Sequence, residues 1–281
     1  MPVTSSLRRS LLLSGFAFAA SLPLAGFAQD KGVAFEPQIG QAGKDVVWVP
    51  TAQAHVDNML NLAKVTPRDS VIDLGSGDGR TVITAAKRGV VKAVGIEYNP
   101  DMVELSKRNA AQAGVGDKAQ FMKADLFETD LSQATVITMF LLPDINLKLR
   151  PKILDLKPGT RIVSNSFTMG EWEPDQRVQT TDKEGCTTYC TALLWIVPAK
   201  IEGVWQTPEG EIVFKQAFQV IRGTLKPKAG GASVMVDGKL NGDQISFKVG
   251  KTEYTGRVNG ITMDGTTKDG AKWSATRMGK G

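Results

Sequence analysis

VIDLGSGDGR, residues 71–80, decides the reading of this 281-residue chain. Apolar Val71 and Ile72 run into a turn holding Gly75, Gly77 and Gly79, and residues 80–87 then carry a helical pattern. A strand that ends in glycines and opens a helix is the first unit of a parallel sheet. The glycines let a ligand approach the backbone and permit positive φ. Outward from this turn the alternation continues, with strands predicted over 91–96, 120–122, 135–140 and 161–164, and helices over 102–113 and 145–154. Strand and helix in regular succession predict a sheet covered on both faces. Upstream, Val56, Met59, Leu60 and Ala63 recur at helical spacing, with Thr51 as the expected cap and Thr66-Pro67 as the stop. His55 on that helix is expected to pack.

The turn also discriminates between ligands. A dinucleotide fingerprint spaces its glycines G-x-G-x-x-G to seat a pyrophosphate, but here Arg80 stands where the third glycine belongs. Asp73 and Asp78 bring negative charge, which repels a pyrophosphate and suits a ligand carrying an ammonium and a sulfonium. S-adenosyl-L-methionine is such a ligand. Glu97, at the end of the second strand, is placed to accept from both ribose hydroxyls, and Asp125, after the third, to read the adenine amino group.

On these motifs the chain resembles class I S-adenosylmethionine-dependent methyltransferases, in particular bacterial relatives of the mitochondrial protein-lysine methyltransferases acting on the c component of ATP synthase and the adenine nucleotide translocase. The resemblance runs from about Val47 to Pro198 and rests on VWVPTAQAHVDNMLNLAKV, VIDLGSGDGRTVITAAKRG, AVGIEYNP, KADLFETDLSQATVITMFLLPDINLKLRPKIL and LKPGTRIVSNSFTMGEWEP. It implies cofactor contacts from Asp73, Gly75, Ser76, Gly77, Gly79, Glu97 and Asp125, with Tyr98 beside the adenine. It also implies a Rossmann-like seven-stranded sheet whose last strand, over 188–197, is antiparallel.

The acceptor side departs from many amine and amide methyltransferases, which carry an Asn/Asp-Pro-Pro-aromatic motif after the fourth strand. This chain has Phe140-Leu-Leu-Pro-Asp144 there, an apolar segment. Leu141, Leu142, Pro143 and Phe167 are candidates for a channel that strips water from a lysine amine, with Thr51, Asn165 and Ser166 as polar guides. The expected acceptor is a protein lysine. A small-molecule acceptor, and a binding module that kept the fold without catalysis, are the rival readings.

The flanks carry a different grammar. Residues 1–28 have Arg8 and Arg9, an apolar run from Leu11 to Phe27 broken by Pro23, and Gly26-Phe27-Ala28, the pattern of a cleaved signal peptide. The expected location is therefore outside the cytoplasm, in a periplasm; an uncleaved membrane anchor is the alternative. Cleavage would leave no membrane span and remove two of the five net positive charges. No Lys/Arg cluster of the kind that tracks nucleic acid remains. Residues 29–46 read as a linker, 47–200 as the methyltransferase domain and 201–281 as an antiparallel β-rich meander, a curled sheet or partial barrel. The last region shows hairpin signals at Asp237-Gly238, Asn241-Gly242, Asn259-Gly260, Asp264-Gly265 and Asp269-Gly270, with Trp205 and Trp273 as core plugs. Cys186 and Cys190 are the only cysteines and His55 the only histidine, too few for a Cys/His zinc site. A bridge between those cysteines needs a bend, because residues four apart in a strand lie about 13 Å from each other.

Overall fold

The computed structural model describes residues 35–279. The expected signal segment, residues 1–28, lies outside them. The first half contains α1 (Gln53–Leu62), β1 (Ser70–Leu74), α2 (Arg80–Lys87), β2 (Lys92–Glu97), α3 (Pro100–Gln112), β3 (Ala119–Lys123) and β4 (Val136–Met139). It continues through α4 (Pro143–Leu154), β5 (Arg161–Asn165), β6 (Gln176–Gln179) and β7 (Thr191–Ile196). The strands form one sheet in the order β3-β2-β1-β4-β5-β7-β6, with β7 antiparallel to both β5 and β6. This is the seven-stranded methyltransferase sheet that the resemblance implies.

Central strands read as unbroken apolar runs because both faces are covered. Val71, Val136 and Val163 point to one face and pack with Val56, Leu60, Val82 and Ala86 of α1 and α2. Ile72, Leu74, Ile137 and Ile162 point to the other and pack with Leu149 and Ile153 of α4 and with Trp195. Thr51 does not cap α1: Ala52 holds that place with no side-chain hydrogen bond, and the helix stops at Leu62. The Thr51 hydroxyl instead accepts from Asn165 Nδ2 at 3.4 Å, so a distant strand end takes it from its local role. By contrast α3 begins as local rules expect, with Pro100 in its first turn and the Asn99 side chain accepting from the Asp101 amide.

The second half contains β8 (Gly203–Thr207), β9 (Gly210–Ala217), β10 (Val220–Pro227), β11 (Val234–Asn241), β12 (Gln244–Val249), β13 (Thr252–Asn259), β14 (Thr262–Thr267) and β15 (Lys272–Arg277). These form a closed antiparallel barrel, because β15 returns to pair with β8 through Thr276–Gln206 and Arg277–Trp205. Closure leaves no edge strand unpaired. Asn241-Gly242, Asn259-Gly260 and Asp269-Gly270 are turns, their glycines at φ 62°, 60° and 89°. Asp237-Gly238 and Asp264-Gly265 are not turns but lie within β11 and β14. A side chain at either glycine would collide with a neighbouring strand's backbone, Ser246 O for Gly238 and Thr255 O for Gly265. Glycine there serves the tight coiling of a small barrel. Trp205, Phe214, Phe247, Tyr254 and Trp273 fill the interior.

The barrel rests on the α4 side of the sheet. Phe218 stacks on buried Trp172 at 5.8 Å and lies under the Arg150 guanidinium at 5.4 Å, while Gln219 Nε2 donates to Glu173 O at 2.9 Å.

Candidate functional site

Parallel strands bring their carboxyl ends to one edge, and the order reverses between β1 and β4. A cavity of about 470 Å³ opens there. Its lining comes from the glycine turn, the segments at the ends of β2, β3, β4 and β5, the loop before β7, and residues 41–51; among the described residues, none beyond Tyr189 reaches it. The barrel therefore stands away from the cavity.

The turn is held from behind by α3, where Ser106 Oγ donates to Gly77 O at 2.7 Å and Asn109 Nδ2 to Asp78 O at 2.9 Å. Gly77 has φ 54°, and a Cβ there would lie 2.7 Å from Trp48 Nε1. Gly75 has φ 74° and faces Leu141. Gly79 does not line the cavity: its φ is 83°, it caps α2, and a Cβ would strike Phe121 and Ser106. Ser76 lines the cavity with a buried hydroxyl that has no partner among the described residues.

Four carboxylates surround this cradle. Glu97 accepts from the Gly77 amide at 3.0 Å and the Asn99 amide at 2.9 Å, which orients it and leaves lone pairs on both oxygens for a diol. Asp73 is buried at the end of β1 and accepts from Thr138 Oγ1 at 2.6 Å. Burial, aided by the charges of Glu97 and Asp78, pushes its pKa up to about 7 against the pull of the Thr138 and Thr81 hydroxyls. Asp125 accepts from the Phe127 amide at 2.8 Å and from Lys44 Nζ at 2.5 Å. The Lys44 ammonium, 4.7 Å above the Tyr98 ring, holds the Asp125 carboxyl below the usual range. Asp78 is less available than the sequence suggests, since Arg80 grips it through Nε and Nη2 and also donates to Thr51 O at 2.6 Å. These groups fit S-adenosylmethionine: an unpaired hydroxyl, a glycine cradle without room for side chains, and carboxylates suited to a cationic nucleoside.

On the β4–β5–β7 side of the cavity lie Thr51, Phe140, Leu141, Leu142, Phe167 and Tyr189. Pro143, Asn165 and Ser166 are outside the lining. Pro143 opens α4, while Asn165 is fully buried and bridges Thr51 and Ser166 from behind. His55 is buried against Thr180, its Nδ1 at 2.6 Å from Thr180 Oγ1, and burial lowers its pKa. Lys44, Trp48, Arg80 and Tyr189 escaped the sequence reading because their roles depend on contacts between distant segments. Residues 41–46, expected as linker, also line the cavity. The nearest clue was the aromatic and apolar run VVWVP over 46–50.

Residues 73–176 match the family model of the ANTKMT methyltransferase domain. A protein-lysine N-methyltransferase of Saccharolobus islandicus is 46% identical over 139 residues, covering 49% of this chain and 86% of that protein. The mouse adenine nucleotide translocase lysine N-methyltransferase is 34% identical over 130 residues, covering 46% of this chain and 56% of that one. Among solved structures, an RNA methyltransferase of Salinibacter ruber bound to S-adenosyl-L-homocysteine is similar, with 48% identity and a TM-score of 0.50 over 54% of this chain and 96% of that one. Sheet order and cradle together define a class I enzyme that uses S-adenosylmethionine. The chain belongs to the protein-lysine N-methyltransferase family. The similarity spans just over half of the mouse relative, and the match to the family model ends at residue 176, before the barrel.

Proposed function

We propose that this protein methylates a lysine amine on another protein and does so outside the cytoplasm. The observation that carries the acceptor class is the apolar β4–β5–β7 side of the cavity, adjoining the glycine cradle where Leu141 faces Gly75 and without a carboxylate or amide clamp. Asp73, Ser76, Gly77, Glu97 and Asp125 would hold the cofactor, with Tyr98 beside the adenine. When bound, it supplies a methyl group on a sulfonium, already activated for in-line displacement. Alignment of the nucleophile is then the main task of the protein. Leu141, Leu142 and Phe167 exclude water, which disfavours the charged ammonium and frees the amine lone pair. Thr51, steadied by Asn165, offers the polar contact that orients it.

Export is supported by the pattern of residues 1–28 and by the Cys186–Cys190 disulfide, a bond that persists in oxidising compartments. Among the described residues, no helix is long and apolar enough to cross a membrane. The test incubates the enzyme with methyl-labelled cofactor and separated envelope proteins, small molecules and RNA. Label on protein, located on lysine by peptide mass spectrometry, is expected. Label confined to small molecules or to RNA overturns the acceptor class, and absence of the processed enzyme from the exported fraction overturns the location.

A further inference from the structure

Three rings from separate segments meet at the acceptor end. Phe140 follows β4, Phe167 follows β5, and Tyr189 precedes β7, whose antiparallel direction brings its start to the same edge. The centroids are 6.0 Å apart for Phe140 and Phe167, 5.3 Å for Phe140 and Tyr189, and 5.8 Å for Phe167 and Tyr189. Phe140 and Phe167 are near parallel, at 20°, while Tyr189 leans against them at 58° and 46°. All three line the cavity, and Tyr189 remains 43% exposed. An aromatic surface offered to solvent costs hydration, and its ring faces attract cations.

The backbone is also constrained at this place. Among the described residues, four non-glycine positions have positive φ, and two of them touch the wall: Tyr189 at 56° and Ser166, next to Phe167, at 62°. Bulky side chains rarely adopt that conformation, and it persists where surrounding structure imposes it. Tyr189 lies inside the loop that the Cys186–Cys190 bridge closes. The bridge follows a 3-10 turn over Asp182–Glu184 and a left-handed Gly185, and it brings the two Cα atoms to 5.8 Å. Both cysteines are buried, and Cys190 O accepts from the Thr180 amide at 2.8 Å. Tyr189 is thus presented by a covalently closed loop anchored to the sheet edge.

We propose that Phe140, Phe167 and Tyr189 form the subsite for the alkylammonium head of the acceptor, and that the Cys186–Cys190 disulfide positions Tyr189, so that the subsite is complete only in the oxidised protein. The proposal rests on the lysine reading above and adds the residues and the condition that select the acceptor. The ring faces attract the ammonium as it arrives, which favours its charged form; exclusion of water by Leu141 and Leu142 acts in the opposite direction and must prevail before the amine lone pair is free. The arrangement also makes acceptor binding depend on the oxidation state of a loop of which Tyr189 alone lines the cavity.

The experiment uses the full chain, loaded with S-adenosyl-L-homocysteine for the binding titrations and supplied with S-adenosyl-L-methionine for turnover. Choline and its neutral carbon isostere 3,3-dimethylbutan-1-ol are titrated by NMR, and poly-L-lysine serves as methyl acceptor in turnover. Choline is expected to bind more tightly than the isostere. Tyr189→Ala and the paired change Cys186→Ser with Cys190→Ser should each weaken choline and raise the KM for poly-L-lysine by roughly three- to fivefold. Tyr189→Phe should restore both, and cofactor affinity should stay within about twofold throughout. Equal binding of the two probes overturns the cation subsite. Wild-type behaviour of the cysteine pair variant overturns the role of the bridge, and Tyr189→Ala keeps the ring contribution measurable if that variant unfolds. A wild-type enzyme that binds choline selectively yet puts no methyl on lysine overturns the lysine reading and leaves the cation subsite supported.

Discussion

Asp73 should make cofactor binding proton-linked. Its carboxyl is buried at the end of β1 beside Glu97 and Asp78, and its pKa stands at about 7, against an ordinary value of 3.8. The free protein therefore keeps a neutral acid at pH 5. If the ionised form receives the cationic ligand, affinity follows the ionised fraction. Two units below the pKa that fraction is about 1%, so binding at pH 5 should be roughly a hundredfold weaker than the plateau above pH 8, about 2.7 kcal/mol. Stability of the free protein should move the other way. The folded state holds a proton that the unfolded chain releases between pH 3.8 and about 7, so this residue's contribution falls as pH rises through that window, by on the order of 4 kcal/mol at most. Affinity rising while free-protein stability falls is the signature. Calorimetry at pH 6 in two buffers of different ionisation enthalpy should count close to one proton released per cofactor bound. Asp73→Asn keeps the shape and removes the titration, so the difference between the two pH profiles isolates the residue. Parallel profiles, or no proton release from the wild type, would refute the reasoning.

Other expectations follow from the same contacts. Glu97→Ala should weaken cofactor binding at least tenfold, since hydrogen bonds to a charged group are worth about 1.5–3 kcal/mol, and calorimetry reads it directly. His55→Ala should lower the melting temperature while leaving cofactor affinity within about threefold, because His55 is buried against Thr180 outside the cavity. Lys44→Ala should strengthen binding, by freeing Asp125 and the Tyr98 face that the ammonium holds; weaker binding in titration would instead make Lys44 a cofactor ligand. Shortening the chain after Lys200 should preserve cofactor binding and cost thermal stability, since Trp172 loses the stacked Phe218. A soluble shortened protein that binds no cofactor would assign the barrel a part in the site.

Much of the glycine-turn end of the cavity was legible because its determinants are local. A strand, three glycines and a carboxylate at the next strand end lie within residues 71–97, and each has a backbone reason to be where it is. The barrel shows the limit of the same logic. Asn241-Gly242 and Asp237-Gly238 look alike in sequence, yet only the first turns the chain, because a glycine needed for positive φ and one needed for close strand approach leave the same letter. Thr51 resembles a cap until Asn165, from a distant strand end, engages it. The sequence by itself determined the strand and helix order, the glycine turn and the acidic residues at strand ends, since these follow from periodicity and backbone conformation over short spans. Tertiary structure alone decided that β15 would meet β8, that Arg80 would occupy Asp78, that Lys44 would lie on Tyr98, and that Phe140, Phe167 and Tyr189 would share one wall. Those pairings join segments far apart in the chain, and it is chain closure and packing, not local preference, that bring them together.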